Sequence, residues 1–244
     1  TGSGFSLSFL DRLALASRAP WFYLGKLLWP ANLIFIYPRW EMPAPPWVLW
    51  IFGSLTAALL IALGLLRRRT RAPLAAALFF GGSLFPALGF FNVYPFVFSF
   101  VADHFQYLAC LGPLALAGAA AATHLRPRPR LVATATIGLV LGTLTWRQAS
   151  TYRDASTLYA TTLARNPSCW MAANNLAETL AQAGRPADAL PLLARALRLR
   201  PDFPEALNNL GDNLARLGRP AEALPHLERA IHLQPKFAEA HNNL

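Results

Sequence analysis

The run Asp103-His104-Phe105-Gln106-Tyr107 brings together residue types that carry proton chemistry. A carboxylate can take a proton from an attacking hydroxyl, and an imidazole can gain or lose one near neutral pH. The run lies between two long uncharged stretches, at the edge of a predicted membrane segment, where ionisable residues indicate function. Asp103 and His104 are therefore catalytic candidates. The alternative is that Asp103 caps the following helix and that His104 lies among lipid headgroups.

Two cations nearer the N-terminus, Lys26 and Arg39, could contact the phosphate of a lipid. Aromatic residues flank them in the sequence, as is typical of the headgroup zone of a membrane, so both also fit the role of anchors whose stems lie in the bilayer. The sequence contains no phosphate-binding glycine loop, no serine-hydrolase or zinc-protease motif and no cluster of metal ligands. We therefore predict neither a metal site nor a cofactor within it.

Three asparagines, Asn175, Asn209 and Asn243, recur at one constant step along the chain. That step is the period of about 34 residues that is typical of the tetratricopeptide repeat, in which each period forms one helix-turn-helix. We predict an α-solenoid over 170–244, with repeats at 170–203 and 204–237 and a third repeat that occupies 238–244. The same step relates further pairs and triples, namely Leu176, Leu210 and Leu244, Gly184 and Gly218, Ala189 and Ala223, Pro201 and Pro235, and Phe203 and Phe237.

Local signals support these boundaries. Gly184 and Gly218, each followed two residues later by proline, are typical helix ends, and a small residue at Gly211 lets the second helix of its repeat approach closely. Residues 148–169 are predicted to form a connecting helix and a degenerate half-repeat. Because one repeat cannot bury its apolar face alone, and the last one stops within a helix, we expect a piece of a longer protein with further repeats.

The predicted array resembles tetratricopeptide domains in which the Asn before the signature Leu lines a groove and holds the backbone of an extended peptide. The resemblance implies that Asn175, Asn209 and Asn243 bind a protein or peptide partner. Exposed polar residues or contacts within one helical turn would explain the same pattern without a ligand. A neighbouring set keeps the same period, so periodicity alone leaves both sets open: Asn174, Asn208 and Asn242.

The first part of the chain has the composition of a membrane protein. The whole sequence is 55% hydrophobic and only 14% charged, and its uncharged runs approach the roughly 20 residues that a membrane-spanning helix needs. Residues 1–46 are predicted as an interfacial or re-entrant helical segment, and a fifth span is the remaining option for residues 5–38. A transmembrane domain over 47–147 is predicted to contain four spans, at 47–66, 74–91, 105–123 and 131–147.

Clusters of arginine orient the predicted spans. Basic residues in short loops stay in the cytoplasm, which assigns 67–73 and 124–130 to that side and 92–104 to the outside. The fourth span then places the repeats on the extracytoplasmic face of the inner (plasma) membrane. These loops hold seven of the basic residues behind the net charge of +10, so the charge does not indicate a nucleic-acid partner: Arg67, Arg68, Arg69, Arg71, Arg126, Arg128 and Arg130.

Three stretches, at 23–30, 90–95 and 102–108, resemble a group of bacterial multi-spanning tetratricopeptide proteins. These in turn resemble transmembrane-and-tetratricopeptide O-mannosyltransferases of the GT-C glycosyltransferase architecture. The resemblance implies an all-α protein, the C-terminal part of a membrane glycosyltransferase-like protein, whose array holds the acceptor of a sugar from a polyprenyl-phosphate donor. The catalytic acidic residue of such enzymes lies in a first outer loop that this sequence lacks, and relatives often have Arg at the position of His104, so enzymatic activity is left open.

Two other functions fit the same features. One is a non-catalytic, membrane-anchored scaffold for envelope protein assembly. The other is a subunit associated with a transporter, against which the lack of ionisable residues in the spans at 47–66, 74–91 and 131–147 argues. On each interpretation the expected partners are a protein or peptide in the groove and the lipid bilayer, with no nucleic acid.

Overall fold

The computed structural model describes residues 7–244, in which every regular element is an α-helix or a 3-10 helix. The chain divides into an N-terminal unit, Thr1–Gln148, and a C-terminal unit, Ala149–Leu244. The tetratricopeptide-like solenoid lies in the C-terminal unit, as predicted.

α1 (Phe9–Leu28) is one continuous helix of 20 residues that passes through Pro20. A capping box begins it, because the Ser8 hydroxyl accepts from the Asp11 backbone N–H and the Asp11 carboxylate accepts from the Ser8 N–H. Pro20 removes one backbone hydrogen bond but does not end the helix, whose buried face packs on both sides of it. Its placement at or across a membrane stays a prediction.

The core of the N-terminal unit forms where α1 meets two connecting segments, 29–45 and 85–110. Arg12 fastens the second segment, since its guanidinium donates to the carbonyl oxygen of Gly89 at 2.6 Å and to Asn92 Oδ1 at 2.8 Å. Side chains from α1, both segments and α3 (Ala72–Leu84) make up one buried cluster: Ala19, Tyr23, Ile34, Tyr37, Phe80, Leu84, Val101 and Ala109.

α2 (Pro46–Leu66) matches the first predicted span. It has 21 residues, a window of mean hydropathy 2.3 and few buried side chains. Within residues 7–244 it is the one helix that is both long enough and apolar enough to cross a membrane. This finding does not by itself establish a membrane protein, and the multi-spanning arrangement is not confirmed.

The predicted spans at 74–91 and 105–123 are wrong as continuous helices. α3 has 13 residues, or about 20 Å of helix, and passes into a 3-10 turn, Phe85–Ala87, at Pro86. α4 (Leu111–His124) starts six residues later than predicted, because 103–106 form a separate 3-10 turn. The fourth predicted span, 131–147, lies inside α5 (Pro127–Ala149), a single helix of 23 residues.

The C-terminal unit is a series of antiparallel helix pairs. After a 3-10 turn, Ser150–Tyr152, Asp154 caps the first helix by accepting from the Thr157 N–H at 2.7 Å. Residues 148–169 thus hold the end of α5, this turn and one short helix. The helices are α6 (Ala155–Arg165), α7 (Trp170–Gln182), α8 (Pro186–Leu199), α9 (Pro204–Arg216), α10 (Pro220–Leu233) and α11 (Ala238–Asn243).

Glycine and proline set the turns of this unit as the sequence indicates. Gly184 and Gly218 adopt φ of +75° and +74°, the left-handed conformation that ends α7 and α9. Gly211 marks a close approach of α9 to α10, because a Cβ there would lie 2.5 Å from Leu227 Cγ. These helix pairs therefore pack through small residues on the first helix and leucine on the second.

Candidate functional site

In the two complete repeats the two sets of periodic asparagines have different environments; the third repeat departs from this, because Asn242 is exposed. Asn174 and Asn208 are 4% and 3% exposed, whereas Asn209 is half-buried and Asn243 is exposed. Asn209 Nδ2 donates to Asn174 Oδ1 at 3.0 Å, and Asn243 Nδ2 repeats this contact with Asn208 Oδ1 at 2.9 Å. Each of these two donors thus ties its repeat to a buried asparagine of the preceding repeat.

A pocket of about 260 Å³ lies along α7, α9 and α11, the first helices of three successive repeats. We call this surface the first-helix groove. Asn209 and Asn243 line it, as does Asn208, while the predicted site residue Asn175 is not part of its lining. The groove is lined by Glu178, Ala181, Gln182, Asn208, Asn209, Asp212, Asn213, Arg216, Glu239, Asn242 and Asn243.

Three carboxylates and one guanidinium give the first-helix groove a negative character. Arg216 Nε lies 2.9 Å from Asp212 Oδ2, so these two charges pair. Glu178 accepts from Gln182 Nε2 at 3.1 Å, a contact that leaves its charge uncompensated. The groove is therefore acidic in a chain whose formal net charge is +10.

Asn213 is a groove residue that the sequence analysis missed. Its side chain is 2% exposed, and its Nδ2 donates to the backbone oxygen of Asn209 at 2.6 Å. Its Oδ1 is buried and has no hydrogen-bond partner among the described residues, a state that costs about 1–3 kcal/mol. Thr179 occupies the same position one repeat earlier, so no periodic signal marks Asn213.

Asp103 belongs to a second polar cluster, in the N-terminal unit. The Tyr37 hydroxyl donates to Asp103 Oδ1 at 2.8 Å. Burial raises the pKa of Asp103, against the opposing effects of this hydrogen bond and of the electrostatic interactions with Lys26 and His104. The Lys26 ammonium lies 5.4 Å from the centroid of the Tyr37 ring and donates to the backbone oxygen of Ala31 at 2.8 Å. Asp103, Tyr37 and Lys26 therefore form one group.

The helix-cap interpretation of Asp103 is wrong, because its carboxylate caps no helix and α4 begins only at Leu111. His104 is exposed, and its ring packs edge-on against Phe105 with 4.6 Å between centroids. The Arg39 guanidinium lies 4.8 Å from the centroid of the Phe100 ring. The aromatic contacts of Lys26 and Arg39 agree with either a phosphate-binding or an anchoring role.

Comparisons with known proteins identify the repeats. Models of the tetratricopeptide repeat family match residues 139–204 and 180–244. Two solved structures of MamA mutants are similar to this chain. One is 30% identical over 41% of this chain and 72% of its own, with a TM-score of 0.32. The other is 19% identical over 75% of this chain and 99% of its own, also with a TM-score of 0.32. No curated protein matches the chain.

Proposed function

We propose that residues 139–244, which belong to the tetratricopeptide repeat family, bind an extended segment of a protein partner in the first-helix groove. Repeats of this class present extended binding surfaces to protein partners, so the array is a protein-interaction scaffold. The observation that carries the proposal is the placement of Asn209 and Asn243 in the groove lining, one repeat apart. A side-chain amide is both donor and acceptor and can therefore pair with the N–H and C=O groups of a peptide backbone.

Asn209 is held ready for such a contact. Its Nδ2 is anchored on Asn174, which fixes the orientation of the amide before a ligand arrives. Within residues 7–244 no group donates a hydrogen bond to Asn209 Oδ1, so this oxygen can accept a peptide N–H. Ordering the side chain in advance lowers the entropy that binding would otherwise lose.

A matched pair of variants tests this role. Peptides would be selected from a random library on the detergent-solubilised chain and their Kd measured for Asn209→Ala and Asn174→Ala. Both substitutions remove the 3.0 Å bond between the two side chains, but only Asn209 lines the groove. We expect Asn209→Ala to raise Kd about tenfold or more, equivalent to about 1.4 kcal/mol, and Asn174→Ala to raise it much less. Equal losses would show that the bond only supports the repeats.

The N-terminal unit is proposed to hold the array at the outer face of the inner (plasma) membrane as a multi-spanning domain. Apolar side chains on α2, α4 and α5 support this, because large exposed apolar surfaces are rare on soluble monomers. In α5, for example, Leu139 and Trp146 are 74% and 79% exposed. The arginines at 67–71, after α2, and at 126–130, where α5 begins, support this orientation as cytoplasmic positive charges. A phosphatase that works only outside the cytoplasm should be active when it is fused after Leu244. An inactive phosphatase fusion, together with activity of a cytoplasmic reporter fused at the same position, would contradict this topology.

A glycosyltransferase is the second candidate, with the bound partner as acceptor and a polyprenyl-phosphate-linked sugar as donor. The group of Asp103, Tyr37 and Lys26 favours it, since the reaction needs a carboxylate near an acceptor hydroxyl and a cation near the leaving phosphate. The test is transfer of labelled sugar from such a donor to a selected peptide by the full-length protein. Sugar transfer by the native protein that is lost in Asp103→Asn would support catalysis by this group. If the native protein transfers no sugar, the envelope scaffold is the function that fits.

A further inference from the structure

We infer that the first-helix groove selects a peptide that carries a basic side chain, Lys or Arg. This inference rests on the peptide-binding function proposed above and names the chemistry of its ligand. The groove offers carboxylates and carbonyl-type acceptors, and a lysine ammonium or arginine guanidinium consists only of hydrogen-bond donors.

The first line of support is the charge of the groove. Glu178 and Glu239 line it, and neither forms an ion pair with any described residue. Arg216, the single basic residue in the described lining, is engaged with Asp212 at 2.9 Å. An acidic peptide would be repelled, and an apolar side chain would take water from these carboxylates without replacing its hydrogen bonds.

The acidic positions follow the same repeat as the asparagines. Glu178 and Asp212 occupy equivalent positions in successive repeats, and each lies three residues after the asparagine of its own repeat, Asn175 or Asn209. Residues three apart share one face of a helix, so a carboxylate accompanies an amide in both repeats. The amides suit the backbone of an extended chain, while the carboxylates suit donor groups at the ends of its side chains.

The second and independent line of support is Asn213. It lines the groove, is 2% exposed, and its Oδ1 accepts no hydrogen bond from any described residue. A buried acceptor without a donor is destabilising, and an N–H group brought by a ligand would relieve this once the Asn213 amide turned toward the groove. A ligand side chain that carries only hydrogen-bond acceptors could not donate to this oxygen.

The test compares matched peptides on matched variants of the full-length protein in detergent. A selected peptide would be made with Lys, Arg, norleucine or Glu at its basic position. The groove variant is Glu178→Gln with Glu239→Gln. The control is Glu205→Gln with Glu228→Gln, which removes the same charge from exposed residues outside the groove lining. We expect the groove variant to weaken the Lys and Arg peptides about tenfold and the control to weaken them less than about twofold.

The norleucine peptide should bind native protein about tenfold more weakly than the Lys peptide and be indifferent to both variants. Added salt should weaken the Lys peptide on native protein more than on the groove variant. Selected peptides without basic residues, equal loss in the control, or binding that proves to be self-association of the chain would each overturn the inference. If Asn209→Ala abolishes binding while the charge variants do not affect it, the basic specificity is wrong and the peptide groove stands. If neither changes binding, both proposals fail.

Discussion

Replacing Gly211 by Ala should destabilise the pair α9 and α10, although alanine is the better helix former. The Cβ would lie 2.5 Å from Leu227 Cγ and 2.6 Å from its Cδ2, whereas nonbonded carbon atoms prefer about 3.5–4.0 Å. Leu227 is 2% exposed and cannot move into solvent, so the helices must separate by roughly 1 Å. In the preceding repeat the same position is Ala177, which is fully buried, so an equivalent pair does accommodate a methyl group.

The expected change in the free energy of unfolding follows from two opposing effects. Overpacking in a filled core destabilises by about 1–3 kcal/mol, and the higher helix propensity of Ala over Gly stabilises by about 1 kcal/mol. Gly211→Ala should therefore destabilise by about 1 kcal/mol in the native background. In the Leu227→Ala background the clash is absent, so the same change should stabilise by about 1 kcal/mol relative to Leu227→Ala alone.

Hydrogen exchange on the full chain, read from peptides that cover α9 and α10, measures these differences as changes in the free energy of local opening. A change of about 1 kcal/mol alters the exchange rate about fivefold. Arg216→Ala is the surface control, since its ion pair with Asp212 is exposed and such pairs contribute little. Slower exchange in Gly211→Ala with Leu227 intact would show that this glycine does not set the spacing of the two helices.

Three further outcomes are expected. Gly218→Ala should destabilise the C-terminal unit by about 1–2 kcal/mol, because φ is +74° there, and Gly218→Asn by less; thermal melts compare the two. Burial raises the pKa of Asp103, so the folded state favours the protonated carboxyl group. The stability of the protein should therefore decline as the pH rises from about 3.8 through the raised pKa. Asp103→Asn should remove this decline in thermal melts recorded between about pH 4 and pH 8. Arg12→Ala should speed hydrogen exchange in 85–100 by releasing Gly89 and Asn92, while peptides from α7 to α10 stay unchanged as an internal control.

The repeat helices could be read from the sequence because their determinants are local and periodic. Gly184 and Gly218 end helices through their own backbone conformation, and the constant step between repeats gives the pairing of helices without any structure. α2 follows equally directly from an uncharged apolar run. The periodic asparagines were found in the same way, but which of them are buried and which line the groove depends on how successive repeats stack, and no single repeat encodes that.

The N-terminal unit was less predictable because long-range contacts shape it. The hydrogen bond from Arg12 to Gly89 joins residues 77 positions apart, and no local sequence pattern predicts it. The end of α3 was missed because the apolar composition outweighed the backbone signal of Pro86. The start of α4 was missed because the uncharged run begins at residue 105, whereas 103–106 form a separate 3-10 turn. Asn213 was missed because its neighbour one repeat earlier is Thr179, whose hydroxyl finds a partner in the backbone oxygen of Asn175 at 2.8 Å.

Site-specific photo-crosslinking tests the peptide groove most directly. A photoreactive residue would replace Gln182, which lines the first-helix groove, or Leu224, which is exposed on α10 outside that lining. The full-length protein would be irradiated with a selected peptide, and the products mapped by mass spectrometry. We predict crosslinks from position 182 to a defined part of the peptide and none from position 224. Crosslinks from position 224 with none from position 182 would contradict binding in the groove.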